Sequence, residues 1–213
     1  LFFFGHGGQL FMPGTAEPNI NNEIGVATLE SIKALAEYAH PDYLSHASNE
    51  TQGIWEAGQA ALGIMWGSRG GAILDDEGAS EEVTANTVLS AAPTVAGGSV
   101  PSATLWWDGI VIARNIPDDV AEAAFRVAME GLDSEMVQGA QDAAIWLVEG
   151  YEPNRLATGA IATATAQPAP PSYPSTSQMG LMHTALGNEL PGFFTGDRDA
   201  KATMEAVQSS YLT

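Results

Sequence analysis

Residues 54–66 read IWEAGQAALGIMW. The first half is a helix with its aromatic and small residues at helical spacing. The second half, ALGIMW, is a short apolar run too brief for a buried helix, and it reads as a buried strand. A helix that empties directly into a strand is the signature of an α/β chain, and the rest of the sequence repeats it. EIGVATLESIKALAEYAH predicts a helix with Val26, Leu29, Ile32 and Ala36 on one face, Asn22 as its cap and Pro41 as its stop. The passage at 54–66 predicts a second helix from Glu50 to Ala61, capped by Asn49. TVLSAAP predicts another buried strand, ended by Pro93. After the small-residue connection TVAGGSVPSAT comes TLWWDGIVIARN, a further strand.

IPDDVAEAAFRVAMEGL then predicts a strong helix. Pro117 suits the first turn, Asp118 and Asp119 complement the dipole, and Val120, Ala124, Val127 and Leu132 form the expected buried stripe. SEMVQGAQDAAIWLVEG is read as helical too. The proline-rich PAPPSYP cannot be regular helix and is read as an ordered crossing segment. Two closing helices follow, about 177–189 and 198–212, the last with Met204, Val207 and Tyr211 on its buried stripe. Helices alternating with short buried strands imply an α/β fold with mainly parallel sheet.

Composition removes several functions. Lys+Arg number 7 against 26 Asp+Glu, a net charge of −19, which disfavours nucleic acid and anionic membranes. The chain has no cysteine, so disulfides, thiol catalysis and cysteine–zinc sites are excluded. No apolar run approaches the roughly 18 residues of a membrane span, and no signal peptide is visible. The chain opens LFFFGHGG on Leu1, which reads as the interior of a longer sequence.

Most chemical motifs fail. HGG at His6–Gly8 resembles esterase oxyanion glycines, yet no G-x-S-x-G elbow accompanies it. The four histidines have no histidine at i+3 or i+4, so they read as surface or capping residues, and no metal or cofactor is expected. Asp75, Asp76, Glu77, Glu81 and Glu82 read as a solvated acidic loop. GSRGG offers backbone N–H groups and Arg69 to an anion but lacks a P-loop lysine.

The aromatics are more informative. Trp106 and Trp107 are adjacent, and neighbouring side chains on a strand face opposite ways, so one core cannot take both indoles. An exposed indole beside Asp108 suits a pyranose or polyol. The sugar's C–H face stacks on the ring and the carboxylate accepts hydroxyl hydrogen bonds.

These pieces, taken in order, resemble the C-terminal half of the extracellular solute-binding proteins of ABC transporters, in the large family that carries sugars and polyols. GHGGQLF followed by EIGVATLESIKAL is similar to that family's glycine–aromatic turn, loop and amphipathic helix. IWEAGQAALGIMW looks like its aromatic-x-x-Gly-x-Ala-Ala-Met passage, with Leu62 where Met is usual. AAPTVAGG, then WWDGIVIARNIPDDVAEAAFRVAMEGLDSE, resembles its hinge strand and the next strand and helix.

The resemblance implies a periplasmic-binding-protein-like (type II) two-lobe fold, present as a fragment lacking most of the first lobe. Residues 1–95 would belong to the second lobe, 96–104 to a hinge crossing and 105–150 to the first lobe, with 151–213 returning to the second. It implies a non-catalytic periplasmic or extracellular protein that captures a sugar or polyol between the lobes and delivers it to a membrane permease. The ligand-binding residues would come from Trp106, Trp107, Asp108 and Gly109, from Trp66, Ser68 and Arg69, and from Gly7 and Gly8. Arg69 would clamp a hydroxyl pair, a carboxylate or a phosphate. Trp106–Gly109 keep only one glycine of the usual pair, which leaves open which indole meets the ligand. A carbohydrate-active hydrolase using cleft carboxylates is the competing reading.

Overall fold

The computed structural model describes residues 1–74, 77–95, 97–106 and 108–213. The chain divides into two compact units, Leu1–His46 with Ala92–Trp106 and Thr163–Thr213, and Ala47–Ala91 with Trp107–Ala162.

The first unit is built on helices α1 (Phe2–Gly5), α2 (Glu23–Ala36), α9 (Gln178–Phe194) and α10 (Ala200–Leu212). Asn22 caps α2 as its sequence implies: its side-chain oxygen accepts the Gly25 N–H at 3.1 Å. Asp199 does the same for α10, accepting the Ala202 N–H at 2.7 Å. Helices α2, α9 and α10 bury one shared core. Leu29 of α2, Met182 and Phe193 of α9, and Met204 and Val207 of α10 meet Phe3 and Ile20 there. Each such side chain contributes about 1.5–3 kcal/mol of burial. The Met204–Val207 stripe is where the sequence puts it. Tyr211 sits at its edge, with its hydroxyl donating to the Ala16 carbonyl at 2.6 Å.

Close approach explains Gly25. A methyl there would lie 2.0 Å from the Ile20 carbonyl oxygen and 3.2 Å from Met204, so the start of α2 packs through bare backbone. At the other end of the core, Arg198 donates to the Glu189 side chain at 2.6 Å and to its carbonyl at 2.9 Å, tying the α9–α10 turn.

The second unit contains α3 (Ser48–Glu56), α4 (Gly70–Leu74), α5 (Glu81–Asn86), α6 (Asp118–Gly131), α7 (Ser134–Gly139) and α8 (Arg155–Ala164). Helix α3 is shifted toward the N-terminus relative to its sequence reading. The Glu50 carboxylate accepts the Ala47 N–H at 3.0 Å, fixing an earlier start than Asn49. At its end Gly58 takes φ +69, and the Gly58 and Gln59 N–H groups bond back to Trp55 and Ile54. That paired closure stops the helix before Ala61. Among the described residues the unit's core is small: Ile73, Ala79, Val137, Leu156 and Ala157. Helix α8 lies tight on the extended segment 87–93, since a methyl on Gly159 would meet the Ser90 carbonyl oxygen at 2.5 Å.

The expected parallel sheet is not formed among the described residues. ALGIMW, TVLSAAP and the stretch after Trp107 lack helix, but they share no ladder with one another. The described pairings are two isolated bridges, Phe11 with Pro18 and Leu105 with Ser172, the latter parallel. Alternation in sequence marks extended backbone. A strand also needs a partner for its N–H and C=O groups, and that partner is non-local. The expected buried positions are accordingly open, Leu62 being 93% and Val111 91% exposed. The stripe of α6 is open too: Val120, Ala124 and Val127 are exposed and Leu132 is half-buried. The helix past α6 is also shorter than read, ending at Gly139, and Trp146 lies beyond it, half-buried, with its indole N–H on the Ala140 carbonyl at 2.9 Å. Asp75 and Asp76 of the acidic loop, and Ala96 of the hinge, lie outside the described residues.

Candidate functional site: an aromatic platform at Trp106

Trp106 is held by its own neighbours. Its indole N–H donates to the Thr104 hydroxyl at 2.7 Å, which sets the ring's orientation from two residues away. One residue earlier, the Leu105 N–H donates to the Pro171 carbonyl at 2.9 Å, and the Leu105 carbonyl accepts the Tyr173 N–H at 3.1 Å. These two bonds lay 104–106 parallel to the proline-rich 171–173. Proline keeps that segment extended, and the pairing places the Tyr173 ring against the Trp106 indole. The centroids are 4.0 Å apart and the planes 30° from parallel.

The Tyr173 hydroxyl then reaches His183 on α9, 3.1 Å from Nε2. The result is a stacked aromatic pair ending in a phenol–imidazole couple that can donate or accept hydrogen bonds. Trp106 is 46% exposed, and His183 is exposed as well. An apolar flat surface with polar groups at its border is what a sugar ring or polyol needs: C–H groups on the rings, hydroxyls on the edge.

Of the other residues named from the sequence, Gly7 and Gly8 belong to the first unit and Trp66, Ser68, Arg69, Asp108 and Gly109 to the second. Gly7 and Gly8 end α1: Gly7 takes φ +81, and their N–H groups bond to the Phe4 and Phe3 carbonyls at 2.8 Å. A methyl on Gly8 would enter the Phe3 ring at 2.5 Å, so the chain packs closely there. In the second unit Trp66 is exposed and precedes the single turn Gly67–Arg69, whose Ser68 is exposed. Arg69 donates to the Gln52 side chain at 3.0 Å, which points its guanidinium along α3. Asp108 and Gly109 are exposed. Trp107 lies outside the described residues.

Tyr173 and His183 were missed by sequence reasoning. The one local signal was an aromatic embedded in PAPPSYP, where proline leaves the backbone extended and the ring displayed. A hollow beside the start of α2, lined by Asn22, Val26 and Lys201, is built from other residues.

No known family pattern matches the sequence, and no curated protein sequence matches it. The fold does have a solved counterpart. The chain shares its fold with a maltose-bound protein. MalE3 of T. maritima, solved with maltose bound, matches 99% of this chain with a TM-score of 0.78 at 14% identity. The chain spans about half of that protein, 55% of its length. At this identity the likeness bears on the fold alone. Among the described residues, no helix is long and apolar enough to cross a membrane.

Proposed function

We propose that this chain is part of the solute-binding component of an ABC importer, and that it holds a sugar or polyol without transforming it. The observation that carries the reading is the exposed Trp106 stacked on half-buried Tyr173 and bordered by His183, on a fold shared with a maltose-bound protein. The ligand's ring lies on the aromatic pair. The Tyr173 hydroxyl and His183 exchange hydrogen bonds with its hydroxyl groups. Gly7, Gly8, Trp66, Ser68, Arg69, Asp108 and Gly109 are second candidates for ligand contact. A membrane permease is the partner that receives the ligand, and the periplasm or extracellular space is where capture takes place.

A thermal-shift screen of the chain against mono-, di- and trisaccharides, polyols and sugar phosphates tests this. A ligand at 100 times its Kd adds roughly 2.7 kcal/mol of stability. One clear hit, weakened in Trp106→Ala and recovered chemically unchanged, is the expected result. A flat response from a folded chain overturns the sugar reading. Turnover of the hit replaces binding by hydrolysis.

A further inference from the structure

The loop after α2 reads HPDYLSH, residues 40–46. Its two histidines are six apart, a spacing with no place on a single helix face, so periodicity does not connect them. The backbone does. Asp42 starts a tight turn: its carbonyl accepts the Ser45 N–H at 2.9 Å and the Ser45 hydroxyl at 2.8 Å. The single helical turn Tyr43–Ser45 then brings the chain back on itself. The His40 and His46 rings end 4.7 Å apart, centroid to centroid. His40 Nδ1 lies 3.9 Å from the Asp42 carboxylate. Tyr43 packs edge-on against Phe194 at the end of α9, 6.3 Å between centroids, which anchors the loop.

One ligand atom from each of His40, Asp42 and His46 therefore falls within 4.8 Å of the others. We propose that these three residues bind a late first-row divalent cation, with zinc as the reference ion. Two imidazoles and one carboxylate form a borderline donor set that favours such ions over magnesium or calcium, which prefer all-oxygen sites. Zinc sits about 2.1 Å from nitrogen and oxygen ligands, so a tetrahedral site spaces them about 3.4 Å apart. Rotation of the exposed His40 and Asp42 side chains supplies the remaining closure. Water completes the coordination. The net charge of −19 raises the cation concentration near the surface. This inference does not depend on the sugar reading.

Isothermal titration of the metal-stripped chain with zinc tests it. The expected result is one saturable site, reversed by EDTA and unaffected by excess magnesium. Affinity falls at least tenfold in both His40→Ala and His46→Ala, with circular dichroism unchanged. Zinc binding of wild-type strength in both variants, which would mark the acidic surface as the binder, overturns the proposal. So does the lack of a saturable site in the wild-type chain.

Discussion

The indole of Trp106 lies 4.0 Å from the ring of Tyr173, centroid to centroid, and the two residues are 67 positions apart in sequence (173 − 106). The contact is set by backbone, through the pair of hydrogen bonds between Leu105 and residues 171–173. The platform is therefore preorganised before any ligand arrives, and the entropy of aligning two aromatic side chains is not charged to binding. Tyr173→Phe keeps the stack and removes the hydroxyl that meets His183. Tyr173→Ala removes both. An aromatic pair contributes about 0.5–1.5 kcal/mol beyond its burial. Tyr173→Ala is thus expected to weaken a ligand found in the screen by up to roughly tenfold, and to change tryptophan emission. Tyr173→Phe should leave the emission near wild type while lowering affinity through the lost hydroxyl. Titration calorimetry and fluorescence separate the two. Equal affinities in all three proteins would remove Tyr173 from the site.

What the sequence disclosed here was local. Asn22 before the first long helix, Asp118–Asp119 after Pro117 and the Met204–Val207 stripe could each be read from a few neighbouring residues, and each element is present. What it withheld was pairing across distance. Extended backbone at Leu105 and Trp106 was legible, but nothing near it named 171–173 as its neighbour. The apolar stripe of α6 was legible as a pattern, yet a pattern states which face is greasy and not whether anything covers it. His183 was read as a surface or capping residue because no histidine stands three or four positions from it, and it is exposed. Its contact with Tyr173 was not legible, since Tyr173 stands in a proline-rich stretch that periodicity cannot interpret.

The first unit's core should respond to truncation as a close-packed interior. Met182 is fully buried in the first half of α9, in the cluster with Leu29, Phe193 and Val207. Met182→Ala is expected to cost about 2–5 kcal/mol, the range for deleting a large buried side chain. Urea denaturation followed by circular dichroism measures it. A loss below about 1 kcal/mol would mean that the α2–α9–α10 cluster is loosely packed.

Gly25 provides a test of backbone packing rather than of side-chain volume. Alanine is ordinarily favoured over glycine inside a helix by about 1 kcal/mol. Here the added methyl would lie 2.0 Å from the Ile20 carbonyl oxygen, closer than atoms approach without displacement. Gly25→Ala is therefore expected to destabilise, against the intrinsic propensity. Gly53→Ala, on α3 with nothing within 4 Å of the new methyl, serves as the control and should be neutral or stabilising. If both variants are stabilised alike, the α2 start is not seated on the Ile20 carbonyl.

The second unit should behave as a surface awaiting cover. Leu62, Val88, Ile110, Val111, Phe125 and Val127 are all exposed, on extended segments and along α6. Exposure of this many large apolar side chains is rare on a stable soluble monomer, and extended segments that share no ladder among the described residues invite intermolecular pairing. The chain studied alone is expected to bind the dye ANS at neutral pH without denaturant. Hydrogen exchange should be fast across 108–131 and slow in α9 and α10, where the buried core lies. Phe125→Glu separates two causes. If the exposed stripe of α6 binds the dye, the substitution lowers the ANS signal while leaving the unfolding midpoint of α9 and α10 in place. If Phe125 is instead buried in solution, the same substitution places an unpaired charge in a core and shifts unfolding to lower denaturant. Slow exchange over 118–131 together with that shift would show α6 to be covered in the isolated chain.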